Sequence, residues 1–299
     1  MEQKGYGLAL LAGITWGTLG IISYYLGKTG VGPFEIAFLR LLFAFLFMFI
    51  FYLITDRKKL KVAKKDIKHS FFIGIITQGT MSLAIYKCIS MTSTTVGVMM
   101  VCLGPLFTAI LSRIFFNEKI TFFKTLALSM AFYGAFLVVT GGDISILHAN
   151  KIGLFIGLIS AVAYGFFPIL TKRVPEEANM NGILMYSFLV GAVYVFSMAD
   201  TKILLGAFSL KLIGISVILG LVPTVLSCSF YAMSLKFTTP TKAGIMSLVE
   251  LPTAAIIGHL FLREHLFLAN VIGIAILILG TMVLKIDLPK KKSFLKQKI

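Results

Sequence analysis

One carboxylate inside an apolar segment is the residue of this chain best suited to chemistry. Glu250 lies near the middle of residues 241–265 (TKAGIMSLVELPTAAIIGHLFLREH), and Pro252 follows two positions later. A charge at the centre of a membrane-spanning helix costs roughly 2.5–3.5 kcal/mol on insertion scales, and a proline frees backbone carbonyls there. The pattern predicts that Glu250 faces a cavity, where it binds a substrate amine or exchanges a proton. The alternative is a structural carboxylate, either paired with Arg40 or hydrogen-bonded inside the helix bundle.

The segment around Glu250 has a counterpart earlier in the chain, at residues 95–118 (TVGVMMVCLGPLFTAILSRIFFNE). Three residues recur in both copies: Gly97, Pro105 and Glu118 in the first, and Gly244, Pro252 and Glu264 in the second. The offset is 147 positions for the prolines (252−105) and 146 for the glutamates (264−118). Leu103 stands where the second copy has Glu250. The chain is therefore predicted to be a duplication with one broken symmetry.

Composition excludes a soluble protein. Hydrophobic residues make up 58% of the 299 positions, and the mean hydropathy is +0.95. The net charge of +16 comes from Lys and Arg residues that lie between apolar runs. Such a distribution indicates membrane topology rather than a nucleic-acid-binding face, so nucleic acid is not an expected partner and membrane lipid is. The three cysteines show no paired spacing, which favours small core residues over a disulfide or a metal site.

About 20 mostly apolar residues are needed to cross a bilayer. The expected fold is an all-α polytopic membrane protein with ten transmembrane helices. The predicted spans are 5–27, 33–54, 70–90, 94–116, 122–141, 152–171, 182–199, 211–234, 242–261 and 268–286.

The distribution of basic residues predicts the orientation of these spans. Lys and Arg concentrate in residues 55–69 and in the tail after Lys285, which favours cytoplasmic placement of both termini. Five spans per copy is an odd number, so the second copy enters the membrane from the opposite side. We therefore expect two inverted five-helix repeats at residues 1–147 and 148–287, followed by a basic cytoplasmic tail at 288–299. Inverted repeats suit alternating access to a site near the membrane midplane.

Five further side chains are candidates for substrate contact or coupling. Arg40, near the outer end of the second span, would hold a substrate carboxylate, or alternatively pair with Glu35 or another span. The aromatic residues Trp16, Tyr86, Tyr164 and Tyr231 combine a ring with a polar group. They would stack on an organic substrate or contact an ammonium, and ordinary helix packing is the alternative.

The residues shared by the two copies suggest bending and gating. Pro105, Pro252, Gly97 and Gly244 would let the fourth and ninth spans bend and approach their neighbours. Glu118 and Glu264 end those spans on opposite membrane faces, where each closes a gate or caps the next helix. The capping interpretation is favoured. The four histidines lack metal-ligand spacing and no Walker A loop is present. We therefore expect no bound metal and no other cofactor, and we do not expect the protein to be an enzyme.

The chain resembles the drug/metabolite transporter superfamily, specifically its EamA-type members, in four features. These are the ten spans in two groups of five, Trp16-Gly17 in the first span, Arg40 in the second, and the order "Pro, apolar run, Glu" in spans four and nine. The resemblance covers nearly the whole chain. It implies a secondary transporter of small organic metabolites such as amino acids, often an exporter. The short loops and the lack of an organelle signal favour a bacterial inner membrane, and we expect a monomer or homodimer. A multidrug efflux protein for lipophilic cations and a channel are the alternatives. Coupling to protons and facilitated diffusion both stay open.

Overall fold

Apolar helices account for the architecture of the chain. The computed structural model describes residues 2–144, 150–263 and 265–286. Ten apolar helices lie in these described ranges. Their bounds are α1 Glu2–Gly27, α2 Pro33–Thr55, α3 Ile67–Met91, α4 Thr94–Phe116, α5 Phe122–Thr140, α6 Lys151–Lys172, α7 Met180–Phe196, α8 Leu210–Ser234, α9 Pro240–Leu262 and α10 Leu268–Ile286.

Length and composition allow eight of these helices to cross a membrane, and α7 and α10 are shorter apolar helices. Each predicted span overlaps one observed helix, with ends that differ by less than one turn. The prediction of a ten-helix polytopic protein is confirmed. Glu264 and the predicted tail at 288–299 lie outside the described residues, as does the predicted boundary at 147/148.

Polar side chains set where several helices begin. Ser93, Thr121 and Ser209 each accept a hydrogen bond from a backbone N–H in the first turn of α4, α5 and α8. The ends of α4 and α9 are also alike. Asn117 and Arg263 close these helices in the left-handed region, with φ of 52° and 57°, and they are 146 positions apart (263−117).

Four of the helices are interrupted at matching places in the two halves of the chain. Helix α4 consists of Thr94–Cys102 and Gly104–Phe116, and α9 of Pro240–Ser247 and Glu250–Leu262. Helices α3 and α8 contain wider π-helical segments at Ile73–Thr80 and Leu221–Leu226. Interruptions of this kind release backbone groups from the regular hydrogen-bond ladder, which is typical of functional regions in membrane helices.

The contact between α5 and α10 shows how the two halves are related. A Cβ on Gly134 would lie 2.8 Å from the Gly273 carbonyl oxygen, and one on Gly273 would lie 2.7 Å from that of Gly134. The equivalent of Gly134 in the second repeat is Gly280 (134+146), and the equivalent of Gly273 in the first is Ala127 (273−146). These two residues are also neighbours, because a Cβ on Gly280 would lie 3.2 Å from the Ala127 carbonyl oxygen. A contact that recurs with the two helices exchanged requires an approximate twofold axis between them. The repeats are therefore inverted around that axis.

Candidate functional site

Glu250 lies at the interruption of α9. It is partly buried and occupies the first turn of Glu250–Leu262, directly after the bend at Leu248 and Val249. Backbone N–H groups at the start of a helix favour a negative side chain. No ion pair joins Glu250 to a cation within residues 2–144, 150–263 and 265–286. The described residues therefore leave the Glu250 carboxylate at a helix start without a counter-charge.

An aromatic cluster lies beside Glu250. We use that name for Trp16, Tyr164, Phe167 and Tyr231, which come from α1, α6 and α8. The Trp16 ring centroid lies 5.2 Å from that of Tyr231, 6.2 Å from that of Tyr164 and 6.5 Å from that of Phe167. Glu250 interacts electrostatically with Tyr164 and Tyr231. Three of the four predicted aromatic residues therefore meet at the predicted carboxylate.

Close helix packing holds Trp16 against α9. A Cβ on Gly17 would lie 2.8 Å from the backbone oxygen of Glu250 and 2.6 Å from the Thr253 Cβ. Only glycine permits this approach, so Gly17 brings α1 close to α9 directly next to Trp16. This contact gives the Trp16-Gly17 pair of the sequence a physical role.

Tyr231 carries a buried hydroxyl without a hydrogen-bond partner among the residues that the structure describes. The side chain is 1% exposed. An unsatisfied buried hydroxyl is costly and calls for an explanation, and a ligand that completes the site is one. The hydroxyl faces the α9 segment that ends at the bend, because a Cβ on Gly244 would lie 3.6 Å from it.

Arg40 and Tyr86 lie together in another part of the bundle. The Arg40 guanidinium is buried and donates a hydrogen bond to the Ser82 hydroxyl across 3.1 Å. Tyr86 interacts electrostatically with Arg40 and packs against Phe34, with ring centroids 6.4 Å apart. The alternative that paired Glu250 with Arg40 is therefore wrong.

Glu35 is also occupied elsewhere, so it is not the partner considered for Arg40. Its carboxylate accepts a hydrogen bond from the Asp200 backbone N–H at 2.7 Å. This contact ties the start of α2 to the connection that follows α7. The buried Arg40 instead donates one hydrogen bond to Ser82 on α3.

Glu118 organises a buried polar network at one end of the bundle. We call this set of residues, Ser112, Glu118, Lys124, Thr239 and Thr241, the end network. Glu118 accepts hydrogen bonds from Lys124 at 2.8 Å, from Thr239 at 2.6 Å and from Thr241 at 2.9 Å, and also from Ser112. Two of these donors come from the second repeat, so one carboxylate joins both halves of the chain.

The electrostatics of the end network favour an ionised Glu118. Burial alone would raise the pKa of this carboxyl, but the Lys124 ammonium and the hydrogen bonds from Lys124, Ser112 and Thr239 outweigh burial and hold the pKa below its ordinary value. The favoured capping interpretation of Glu118 is wrong, because Thr121 provides the cap of α5.

Two further contacts close the same end. Lys242 of α9 forms an ion pair with Glu2 of α1 at 2.9 Å. Lys172 of α6 donates to the backbone oxygens of Leu235 and Thr238 at 3.3 and 2.9 Å. Sequence reasoning missed these partners, because each contact joins residues that are far apart in the chain.

A half-open apolar groove of about 240 Å³ lies on the outer surface of the bundle between α4, α5 and α9. The residues that line it are Cys102, Leu103, Leu106, Thr125, Leu128, Ser129, Phe132 and Leu248. The sequence aligned Leu103 with Glu250, but the second parts of α4 and α9 begin at Gly104 and Glu250, so Gly104 is the equivalent residue (250−104 = 146). In the described residues no group of three or more His, Cys, Asp and Glu side chains is arranged to hold a metal ion.

Comparison with known proteins agrees with this architecture. The pattern of the EamA-like transporter family matches residues 3–140 and, a second time, residues 151–286. A chain in a solved crystal structure superimposes with a TM-score of 0.73 at 15% identity, over 95% of this chain and 97% of the other. This likeness concerns the fold.

Curated relatives cover most of the chain at low identity. An uncharacterized transporter of Archaeoglobus fulgidus is 23% identical over 89% of this chain and 91% of its own. The uncharacterized inner membrane transporter YicL of Salmonella typhimurium is 22% identical over 95% and 96%. The S-adenosylmethionine uptake transporter of Rickettsia conorii is 27% identical over 66% and 64%.

Both the fold and the double match define a multi-span membrane transporter of the drug/metabolite type. The chain belongs to the EamA-like transporter family.

Proposed function

We propose that this protein is a secondary transporter that carries small amine-bearing organic metabolites, such as amino acids, by alternating access. The observation that carries the proposal is the Glu250 carboxylate beside the aromatic cluster. A carboxylate without a cationic partner among the described residues suits a substrate ammonium. The faces of Trp16 and Tyr231 add cation–π attraction for the same group.

Alternating access follows from the relation between the repeats. Two inverted halves can exchange roles, so that the site near Glu250 opens first to one side and then to the other. Glu118 contacts Thr239 and Thr241 of the other repeat, and Lys242 contacts Glu2. These contacts would have to break whenever this end opens, which supports a gating role for Glu118.

The positive-inside distribution supports a cytoplasmic location for this end and for both termini. The name of the Salmonella typhimurium relative supports an inner membrane. We propose export as the physiological direction, from the resemblance in the sequence. For coupling, Glu250 either exchanges a proton for the substrate or binds the substrate in facilitated diffusion.

A multidrug efflux transporter for lipophilic cations is the second candidate. The aromatic cluster favours it, because a lipophilic cation needs apolar surface near the carboxylate. The two candidates differ in selectivity: the first carries a few metabolites and the second many unrelated cations.

Efflux from proteoliposomes tests the proposal. Vesicles loaded with a mixture of amino acids, amines and organic acids are incubated with and without a pH gradient, and released compounds are identified by mass spectrometry. We expect selective release of a few amine-bearing compounds. Release of every small solute would indicate a pore instead. If the gradient has no effect on release, the proton-coupled mechanism is excluded.

A further inference from the structure

Arg40 is a buried cation that the proposed function does not use. It lies roughly 10 Å along α2 from the start of that helix at Pro33. Its side chain is 8% exposed, so the guanidinium does not extend to the membrane surface as a snorkelling arginine does. Arginine keeps its proton inside proteins, and a charge at membrane depth is costly without a partner of opposite sign.

The carboxylates considered as partners of Arg40 are engaged elsewhere. Glu35 accepts its hydrogen bond from the Asp200 backbone N–H, and Glu250 lies beside the aromatic cluster. Arg40 belongs to no ion pair in the part of the chain that the structure describes. Its positive charge is therefore not balanced by any of the described residues.

Helix α3 holds the guanidinium by a single contact. Nη2 of Arg40 donates to the Ser82 hydroxyl oxygen across 3.1 Å, and that hydroxyl donates its own hydrogen to the Gln78 backbone oxygen across 2.5 Å. Gln78 belongs to the π-helical segment Ile73–Thr80, and segments of this kind occur frequently at functional sites. The contact thus fixes the position of the cation without neutralising it.

Most hydrogen-bond donors of Arg40 remain available to a ligand. Its Nε and Nη1 atoms have no partner in the described residues, and neither atom is fully enclosed by protein. Nη2 carries two hydrogens and gives one to Ser82, so the other still forms a fork with either Nε or Nη1. Such a fork matches the two oxygens of a carboxylate.

We propose that the Arg40 guanidinium, held in place by Ser82, is a binding site for a small anionic group. The anion is either a carboxylate of the transported molecule or a free inorganic anion such as chloride. The site itself does not depend on Glu250. Only its assignment to the transported molecule rests on the proposed function, and in that case the substrate carries an acid as well as an amine.

Unfolding temperatures of the full chain in detergent test the site without a transport assay. Sodium acetate or sodium chloride is added at constant ionic strength, with the bulky sulfonate MES as the balancing anion. We expect each anion that binds to raise the unfolding temperature of wild type by about 2–4 °C as it saturates the site. Arg40→Met should not respond, and in MES alone it should be at least as stable as wild type, because an unbalanced buried charge is gone.

The matched control is Arg113→Met, which removes a cation from the exposed surface of α4. It should respond to acetate and chloride as wild type does. A general effect of salt on the surface would change this variant and Arg40→Met alike, whereas binding at Arg40 changes only one of them.

Transport by proteoliposomes distinguishes the two sources of the anion. Each amino acid that wild type releases is compared with its amide, which keeps the ammonium but lacks the carboxylate. If the carboxylate binds Arg40, wild type should transport the amide at least about tenfold less well, and Arg40→Met should lose this preference. If a free anion binds, the acid and the amide are transported alike, and replacing chloride by MES lowers transport of both.

The proposal is overturned if neither acetate nor chloride stabilises wild type, or if Arg40→Met responds as wild type does. It is also overturned if Arg40→Met unfolds well below wild type in MES, since the protein itself would then compensate the charge. These results leave the proposed function untouched. Conversely, wild-type transport by Glu250→Gln would contradict the proposed function, while an anion response that requires Arg40 would still establish this site.

Discussion

At the scale of single residues, polar groups inside this bundle fall into two kinds. Glu118 is satisfied by four donors, whereas the Tyr231 hydroxyl lacks a partner within the described residues. A satisfied buried group stabilises the fold, and an unsatisfied one costs free energy. The first kind therefore indicates structure or closure. We propose that Tyr231, because it lies in the aromatic cluster, belongs to a binding site.

This contrast predicts the effect of Tyr231→Phe. Removal of an unpaired buried hydroxyl should leave the free energy of unfolding unchanged or raise it, while the KM for transport rises because the substrate loses a hydrogen-bond partner. Thermal unfolding in detergent and transport kinetics measure the two effects. Tyr186→Phe is the control: its hydroxyl donates to the Leu60 carbonyl oxygen at 3.1 Å, so its loss should destabilise the fold by about 0.5–1.5 kcal/mol.

Glu118 predicts a dependence of stability on pH. The pKa of Glu118 is lowered in the folded protein. Its contribution to the free energy of unfolding is therefore complete above the ordinary carboxyl pKa of 4.5 and is lost as pH falls through the lowered pKa. Glu118→Gln should be less stable than wild type at pH 7 by about 3–5 kcal/mol, because Lys124 is left buried without a counter-charge. The difference between the two proteins should shrink in acid.

Unfolding temperatures between pH 7 and about pH 2 check this prediction, with the decrease in the difference expected below pH 4.5. The double variant Glu118→Gln/Lys124→Met is the control, because it removes both charges and should regain part of the lost stability. A constant difference between wild type and Glu118→Gln across this range would show that the ionised carboxylate is not what stabilises the end network.

At the scale of elements, the contact between α5 and α10 relies on glycine. Gly134→Val would place side-chain atoms against the Gly273 carbonyl oxygen, so we expect a loss of about 1–3 kcal/mol or separation of the two helices. Gly214→Val is the matched control, because no atom lies within 4 Å of a Cβ at that position of α8. Equal unfolding temperatures for the two variants would contradict the twofold packing.

The sequence predicted the helices well and their interruptions poorly. Hydropathy over about 20 residues reports whether a segment can cross a bilayer, which is why all ten spans were found. It does not report the hydrogen-bond pattern within a span, so the π-helical segments Ile73–Thr80 and Leu221–Leu226 had no signal. Pro105 and Pro252 did mark the regions of the breaks in α4 and α9.

The candidate site was predicted in part for a related reason. Glu250 is conspicuous because a charge is rare in an apolar segment, and Trp16 because the chain has one tryptophan. Phe167 is one of 27 phenylalanines, so residue type alone could not select it. The end network depends on contacts between residues more than 100 positions apart, such as Glu118 with Thr239. The sequence alone does not reveal such pairs.

At the scale of the whole molecule, the two repeats share a fold and differ in chemistry. Lys124 in α5 corresponds to Asn270 in α10 (270−124 = 146). Lys124 forms an ion pair with Glu118, whereas Asn270 donates to the backbone oxygens of Leu137 and Val138. The symmetry of the two repeats is thus combined with different contacts at equivalent positions.

The measurement that tests the central claim most directly compares Glu250→Gln with Glu177→Gln. Both variants neutralise one carboxylate, but Glu177 is exposed in the connection between α6 and α7. Transport of an amine released by wild-type proteoliposomes is measured for all three proteins, reconstituted at equal density. We predict that Glu250→Gln abolishes or strongly reduces transport while it remains folded in the membrane, and that Glu177→Gln transports as wild type does. Wild-type transport by Glu250→Gln would contradict the assignment of the site.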